Sequence, residues 1–258
     1  MIINIDDINC EELKIYKELR EHAFRDDRSF IADSPKVVNL VLESDLVIKS
    51  MLITQEYYDE FAGLLEEKEI PKIYLTTKAE MGKIVGHKIH HNCMMHGIRP
   101  DDTPLEKLGD KIIMLDNITS SENVGAIARS AAALGVNSYL LPKSSPHPYN
   151  RRALRVSMGH TAMLKVNIYE DIKHTIEELQ VLGYRVYAAE VSDNASYLSD
   201  VKASDKWVLL MGHEGKGIDK EILALCDEVV TIEMQEGIKS FNVAIAASII
   251  MYQFNNTH

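Results

Sequence analysis

Three stretches of this chain combine residue types and spacings that could do chemistry. Gly212-His213-Glu214-Gly215-Lys216-Gly217 follows the apolar run WVLLM, and its three glycines let backbone approach a ligand closely and expose N–H groups. It is neither a Walker loop, since Gly217 is followed by Ile218, nor a dinucleotide fingerprint, since Lys220 stands where the last glycine belongs. Residues 233–241 join the run EVVTI to the closing segment NVAIAASIIMYQF, which is apolar on almost every face and calls for burial all round. Asn123, Gly125 and Arg129 open a helical pattern after KIIMLD, where an arginine could clamp phosphate with both arms. His87, His90, His91, Cys93 and His96 bring metal-ligand types together, but at a spacing that fits no standard zinc finger, and no metal is expected.

The elements that must position these residues alternate. From about residue 111 onward, strands are expected at 111–116, 137–141, 164–169, 185–191, 206–211 and 228–232. Helices fall between them at 123–134, 150–158, 171–182, 220–224 and 242–254. That alternation implies an α/β fold with an open parallel sheet covered on both faces, and such sheets bind ligands beyond the carboxyl ends of their strands. Upstream, helices are expected at 11–24, 35–43, 57–67 and 77–85, with strands at 46–54 and 72–75, which makes a smaller α/β domain. The turn-formers and charges of 97–110 mark the boundary. We divide the chain as 1–105 and 106–258.

With 258 residues and 46% hydrophobic content, the chain buries a core without disulfides or structural metal, and the three scattered cysteines fit a reducing, cytoplasmic setting. Neither a secretion signal nor a membrane span is expected. The formal net charge is −11, and most of it, −8, falls within residues 1–106. A nucleic-acid partner would therefore need local positive charge. Arg151, Arg152 and Arg155 are the best candidates for it.

The three segments LDNITSSENVGAIARSAAALG, LLMGHEGKGI and TIEMQEGIKSFNVAIAASI, in that order, resemble the three motifs of the SpoU/TrmH family of RNA ribose 2′-O-methyltransferases. More loosely, FIADSPKVV from Phe30 and His96-Gly97-Ile98 resemble that family's N-terminal substrate-binding domain and the entry to its catalytic domain. The resemblance implies a C-terminal α/β domain with a trefoil knot, a smaller N-terminal RNA-binding domain, S-adenosylmethionine (SAM) as cofactor, a homodimer, and a structured ribosomal or transfer RNA as substrate. It further implies that Gly212, Ile232, Met234, Phe241 and Val243 form the cofactor site. Asn123 and Arg129 would face RNA, Glu214 would brace the loops, and Ser240 and Asn242 would sit at the methyl-transfer centre. The chain departs from the family pattern at Glu233, Glu236 and Phe241, where Pro, Gly and Leu are usual. Two other readings stand beside this one: a base-nitrogen methyltransferase on the same fold, and an RNA-binding protein without catalysis.

Overall fold

Residues 1–5, 7–17, 27–192 and 194–256 are described by the computed structural model, and the chain falls into two units. The first unit is Met1–Asp101 with Pro148–Ala162. It opens with β1 (Ile2–Asn4), α1 (Lys14–Lys17), β2 (Ser29–Asp33), α2 (Pro35–Glu43) and β3 (Val47–Thr54). It goes on through α3 (Gln55–Glu60), α4 (Ala62–Glu67), β4 (Lys72–Thr76), α5 (Lys78–Val85) and β5 (Cys93–Ile98). Local chemistry sets several of these bounds. Pro35 takes the first turn of α2, where a missing N–H costs nothing. Thr77 and Glu80 form a capping box on α5, and Gly86 ends that helix at φ 80°. The strands lie in the order β1-β4-β3-β5-β2, with β5 antiparallel to both its neighbours.

Three expectations are corrected here. The helix expected at 11–24 is, where described, a tight turn at Glu11–Leu13 followed by α1, and residues 18–24 lie outside the described residues. The helix expected at 57–67 is broken at Phe61 into α3 and α4. Strands β2 and β5 were not expected at all. Every residue of β2 is buried and none of β5 is exposed, so neither carries the alternation of a half-buried strand, and the Met and Gly of β5 are not strand formers.

The second unit, Asp102–His147 with Met163–His258, starts with β6 (Lys111–Leu115), α6 (Ser121–Ala133) and β7 (Ser138–Pro142). The chain then returns to the first unit for α7 (Arg151–Val156). It re-enters the second with β8 (Lys165–Tyr169), α8 (Ile172–Val181), β9 (Arg185–Ala189) and β10 (Ser196–Tyr197), and ends through β11 (Trp207–Met211), α9 (Lys220–Leu223), β12 (Glu228–Thr231) and α10 (Val243–Asn256). Its strands form a parallel sheet in the order β10-β12-β9-β11-β6-β7-β8, the α/β architecture implied by the alternating pattern. The runs KIIML, SYLLP and WVLLM are buried almost end to end, as strands covered on both faces must be.

α10 is pinned at its far end by Phe254, whose ring stands edge-on to Trp207 and Tyr187 with centroids 5.4 and 4.9 Å away. It lies against α6, where the hydroxyls of Ser248 and Ser130 meet at 2.8 Å and Asn255 Nδ2 donates to the Leu134 carbonyl at 2.7 Å. Within one chain the helix is not buried all round, because Ile245 and Tyr252 are 53% and 61% exposed. No described helix is long and apolar enough to cross a membrane.

The assignment of 148–162 to the first unit differs from a single cut at 105. Arg151 donates through Nε and Nη2 to Asp33 Oδ2 at 2.8 and 2.5 Å, Arg155 Nε lies 3.7 Å from Asp33 Oδ1, and Tyr149 stands edge-on to Phe30 at 5.0 Å. Two of the three arginines expected to form an open positive patch are therefore committed to a buried carboxylate. Breaking a buried ion pair from one side leaves the other charge uncompensated. Asp33→Ala is accordingly expected to destabilise the chain by about 3–5 kcal/mol, as a loss seen in urea unfolding followed by circular dichroism. A variant that unfolds at the parent's urea midpoint would show that the pair does not hold 148–162 in place.

Candidate functional site

β12, β9 and β11 are neighbours in the sheet, and the segments that follow their carboxyl ends enclose a cleft of about 720 Å³. This is where open parallel sheets hold ligands. Glu190 and Val191 line it after β9, Gly212 to Gly217 after β11, and parts of 230–243 after β12, with Ala246 and Ile250 supplied by α10. Lys216 and Lys239 are its cations.

The loop 212–217 is a closed turn in its own right. Gly217 N–H donates to the His213 carbonyl at 2.9 Å, and His213 Nδ1 accepts the N–H groups of Gly215 and Lys216 at 2.9 and 3.3 Å. A Cβ on Gly212 would stand 2.7 Å from the Gly217 carbonyl carbon. Glycine at 212 is thus required by the loop's own backbone, whereas the sequence suggested approach of a ligand.

Beside the cleft, the three segments picked out in the sequence are joined by one hydrogen-bond chain. Asn123 Nδ2 donates to Glu214 Oε1 at 2.9 Å, and Asn242 Nδ2 donates to Asn123 Oδ1 at 3.1 Å. Asn242 Oδ1 accepts the N–H groups of Ala244 and Ile245 at 2.9 and 3.3 Å, which caps the start of α10. Glu214 also accepts the backbone N–H groups of Thr119 and Ser120, each at 3.4 Å, just ahead of α6. Partial burial of the Glu214 carboxyl works against its ionisation. The hydrogen bonds from Asn123, Thr119 and Ser120 outweigh that and hold it below the ordinary carboxylate range.

The structure places the remaining site residues as follows. Gly212, Ile232, Met234, Phe241 and Val243 all line the cleft, together with Glu214, Ser240 and Asn242. Ser240 is exposed, and Phe241 is 41% exposed at the rim. Asn123 lies behind the lining and reaches it through Asn242. Arg129 is not brought to the cleft: it is exposed on α6 and makes no hydrogen bond or ion pair among the described residues. Glu233 is held below the usual carboxylate range, chiefly by the Ser199 side chain and also by backbone N–H groups. The residues that sequence reasoning missed are His213 and Glu190. The first carries no signal beyond its place inside the loop, and the second only its position just past a strand end. Of the histidine-rich stretch, Cys93 is buried and His96 Nε2 meets Ser29 Oγ at 2.9 Å. Among the described residues no three His, Cys, Asp or Glu side chains converge as metal ligands.

Because Glu214 has a depressed pKa, its contribution to stability is complete above the unfolded value of about 4.3 and is lost as pH falls through the lower, folded value. Glu214→Gln should melt below the parent at neutral pH, and the gap should close as pH falls below about 4. A gap that stays constant across that range in thermal melts would show that the carboxylate's charge is not what holds the three segments.

Comparison with known proteins places these features in a family. Residues 110–252 match the sequence profile of the SpoU rRNA Methylase family. A Mycobacterium avium protein named as an uncharacterized tRNA/rRNA methyltransferase is 28% identical over 186 residues, covering 69% of this chain and 60% of that protein. The chain thus matches less than two thirds of that relative's length. Among solved structures, an AdoMet-bound rRNA methyltransferase from Sinorhizobium meliloti superposes with TM-score 0.83 at 20% identity, over 98% of this chain and 97% of that one. The SpoU methyltransferase AviRb from Streptomyces viridochromogenes gives 0.78 at 20% identity, over 95% and 96%. These likenesses carry the fold across both units, and the profile covers the whole span from β6 through the cleft to α10. This chain belongs to the SpoU rRNA Methylase family.

Proposed function

We propose that this chain is a SAM-dependent RNA methyltransferase that transfers a methyl group to a ribose 2′-hydroxyl of structured RNA, ribosomal RNA ahead of transfer RNA. The observation that carries the reading is the cleft at the ends of β9, β11 and β12, lined by Glu214 and Asn242, which Asn123 joins from behind, and by the exposed Ser240. Family membership supports it, as does likeness to a solved RNA 2′-O ribose methyltransferase at TM-score 0.78 and 17% identity.

The cleft suits the cofactor chemically. Its volume lies within the usual range for small-ligand sites, and Ile232, Met234 and Val243 offer an apolar bed beside open backbone groups. Gly212, Ile232, Met234, Phe241 and Val243 would hold SAM, which supplies a methyl group already activated by its sulfonium. The family's knotted C-terminal path belongs to this reading. Around the cofactor, Ser240 and Asn242 stand at the transfer centre and Glu214 braces the wall. Arg129 is assigned to RNA because it is exposed and has no partner among the described residues. Its guanidinium is a planar cation with five N–H donors, suited to gripping a phosphate with two bonds. It anchors a phosphate of the bound RNA, while the proton of the 2′-hydroxyl passes to an RNA phosphate or to water.

Two further parts of the reading concern partners. Residues 1–105 select the RNA, and since they are acidic overall, recognition rests on shape and unstacked bases more than on phosphate attraction. The chain works as a homodimer through α10, where Ile245, Ile249 and Tyr252 lie on one stripe of the helix with Ile245 and Tyr252 exposed.

Calorimetry should detect SAM binding to the whole chain. Ala246→Phe fills the cleft without touching the glycine turn and should weaken binding by about tenfold or more; unchanged affinity would move the cofactor elsewhere. Arg129→Ala should remove methyl transfer, scored by mass spectrometry of ribose methylation on RNA from a strain lacking the protein, and spare SAM affinity. Full turnover in that variant would take Arg129 out of the mechanism. Ile245→Glu should convert a dimer to a monomer in light scattering at micromolar concentration, and a parent chain that is already monomeric would refute the interface.

A further inference from the structure

Glu190 is the first residue beyond β9, the strand that lies between β12 and β11. Its backbone N–H donates to the Val230 carbonyl of β12 at 3.1 Å. Its two carboxylate oxygens are engaged separately: Oε1 accepts Val191 N–H at 2.9 Å, and Oε2 accepts Ile218 N–H at 2.8 Å. One half-buried residue thus joins the ends of three segments that line the cleft, and it lines the cleft itself.

The glycine turn is shaped to receive this carboxylate. Gly217 sits in the left-handed region at φ 68°, and a Cβ there would collide with the Glu190 carboxylate. Directly after it, Ile218 sends its side chain into the core of the second unit while its N–H is held by Glu190. Hydrogen bonds to an ionised acceptor are roughly twice as strong as neutral ones. The exit of the turn is fixed from both sides, by apolar burial and by a charge-assisted bond.

We propose that Glu190 is a positioning residue of the cleft: its carboxylate fixes the exit of the 212–217 turn against the ends of β9 and β12, and so presents the turn's backbone to the cofactor. This rests on the SAM reading of the cleft. Glutamine at 190 keeps the shape but offers one acceptor oxygen, and its amide NH₂ faces a second donor. Alanine removes both acceptors.

The test uses the full chain, with SAM as the titrant in calorimetry and amide signals read by nitrogen-15 NMR. Glu190→Ala should raise the SAM dissociation constant by about tenfold or more, and Glu190→Gln by less. In the ligand-free parent, the Ile218 amide should be protected from exchange and shifted downfield, and it should move upfield in Glu190→Gln. A residue that only adds overall stability would lower the melting temperature of both variants and leave SAM affinity in the folded protein unchanged. If the parent binds SAM and both variants bind it equally well, the proposal falls. It falls also if the parent's Ile218 amide exchanges like an exposed one, a result that needs no variant to fold. A parent that does not bind SAM at all refutes the cofactor reading instead, and the Ile218 amide still decides whether Glu190 holds the turn.

Discussion

An ionised carboxylate can only accept hydrogen bonds, and at Glu214 that limit runs through two asparagines to a helix cap. The carboxylate requires the Nδ2 end of Asn123, which leaves Asn123 Oδ1 pointing at Asn242. That oxygen requires the Nδ2 end of Asn242, which leaves Asn242 Oδ1 to face the first N–H groups of α10. The orientations of both asparagine amides are thus decided by one charge. The same carboxylate takes two backbone N–H groups ahead of α6. The starts of α6 and α10 and the 212–217 turn are thereby held together by a group with no alternative polarity, although each segment is distant from the others in sequence.

The cleft depends on this in a simple way. Its floor is the end of a parallel sheet, rigid because β9 and β11 are hydrogen-bonded on both sides. Its walls are loops, which have no such ladder and need side chains to fix them. Glu214 ties the 212–217 turn to the starts of α6 and α10 and Glu190 ties its exit to the end of β9, while Phe254 holds the distal end of α10 between Trp207 and Tyr187. Both carboxylates act on backbone N–H groups near strand or helix ends, where the regular structure leaves donors unpaired.

How much of this could be read from the sequence follows the range of the interactions involved. The parallel sheet was legible because strands covered on both faces are written as unbroken apolar runs, and KIIML and WVLLM are such runs. The cleft residues were legible because they cluster in three short segments whose resemblance to a family is read locally. Arg129 was legible as a residue but not as a position, since nothing in a helical pattern says that the side chain stays outside the cleft. β2 and β5 were not legible, since β2 is a short run that ends in a buried Asp, β5 mixes Cys, Met, His and Gly, and neither alternates. Glu190 was missed for the opposite reason: its position was visible, but its partner Ile218 lies 28 residues away.

The hardest feature to read was the ownership of residues 148–162. Between β7 and β8 the sequence shows an ordinary helix with three arginines, and a surface role is the natural reading. The structure instead sets Arg151 against the buried Asp33 across a separation of 118 residues, with Tyr149 on Phe30. The first unit therefore lacks part of its own packing until residue 162 has been made, by which point β6, α6 and β7 of the second unit already precede it in the chain. Closing a contact of that sequence separation is slow and entropically costly, and a chain cut after residue 105 would leave Asp33 buried without its arginines. The two units are thus interleaved in sequence, and neither can be excised by a single cut.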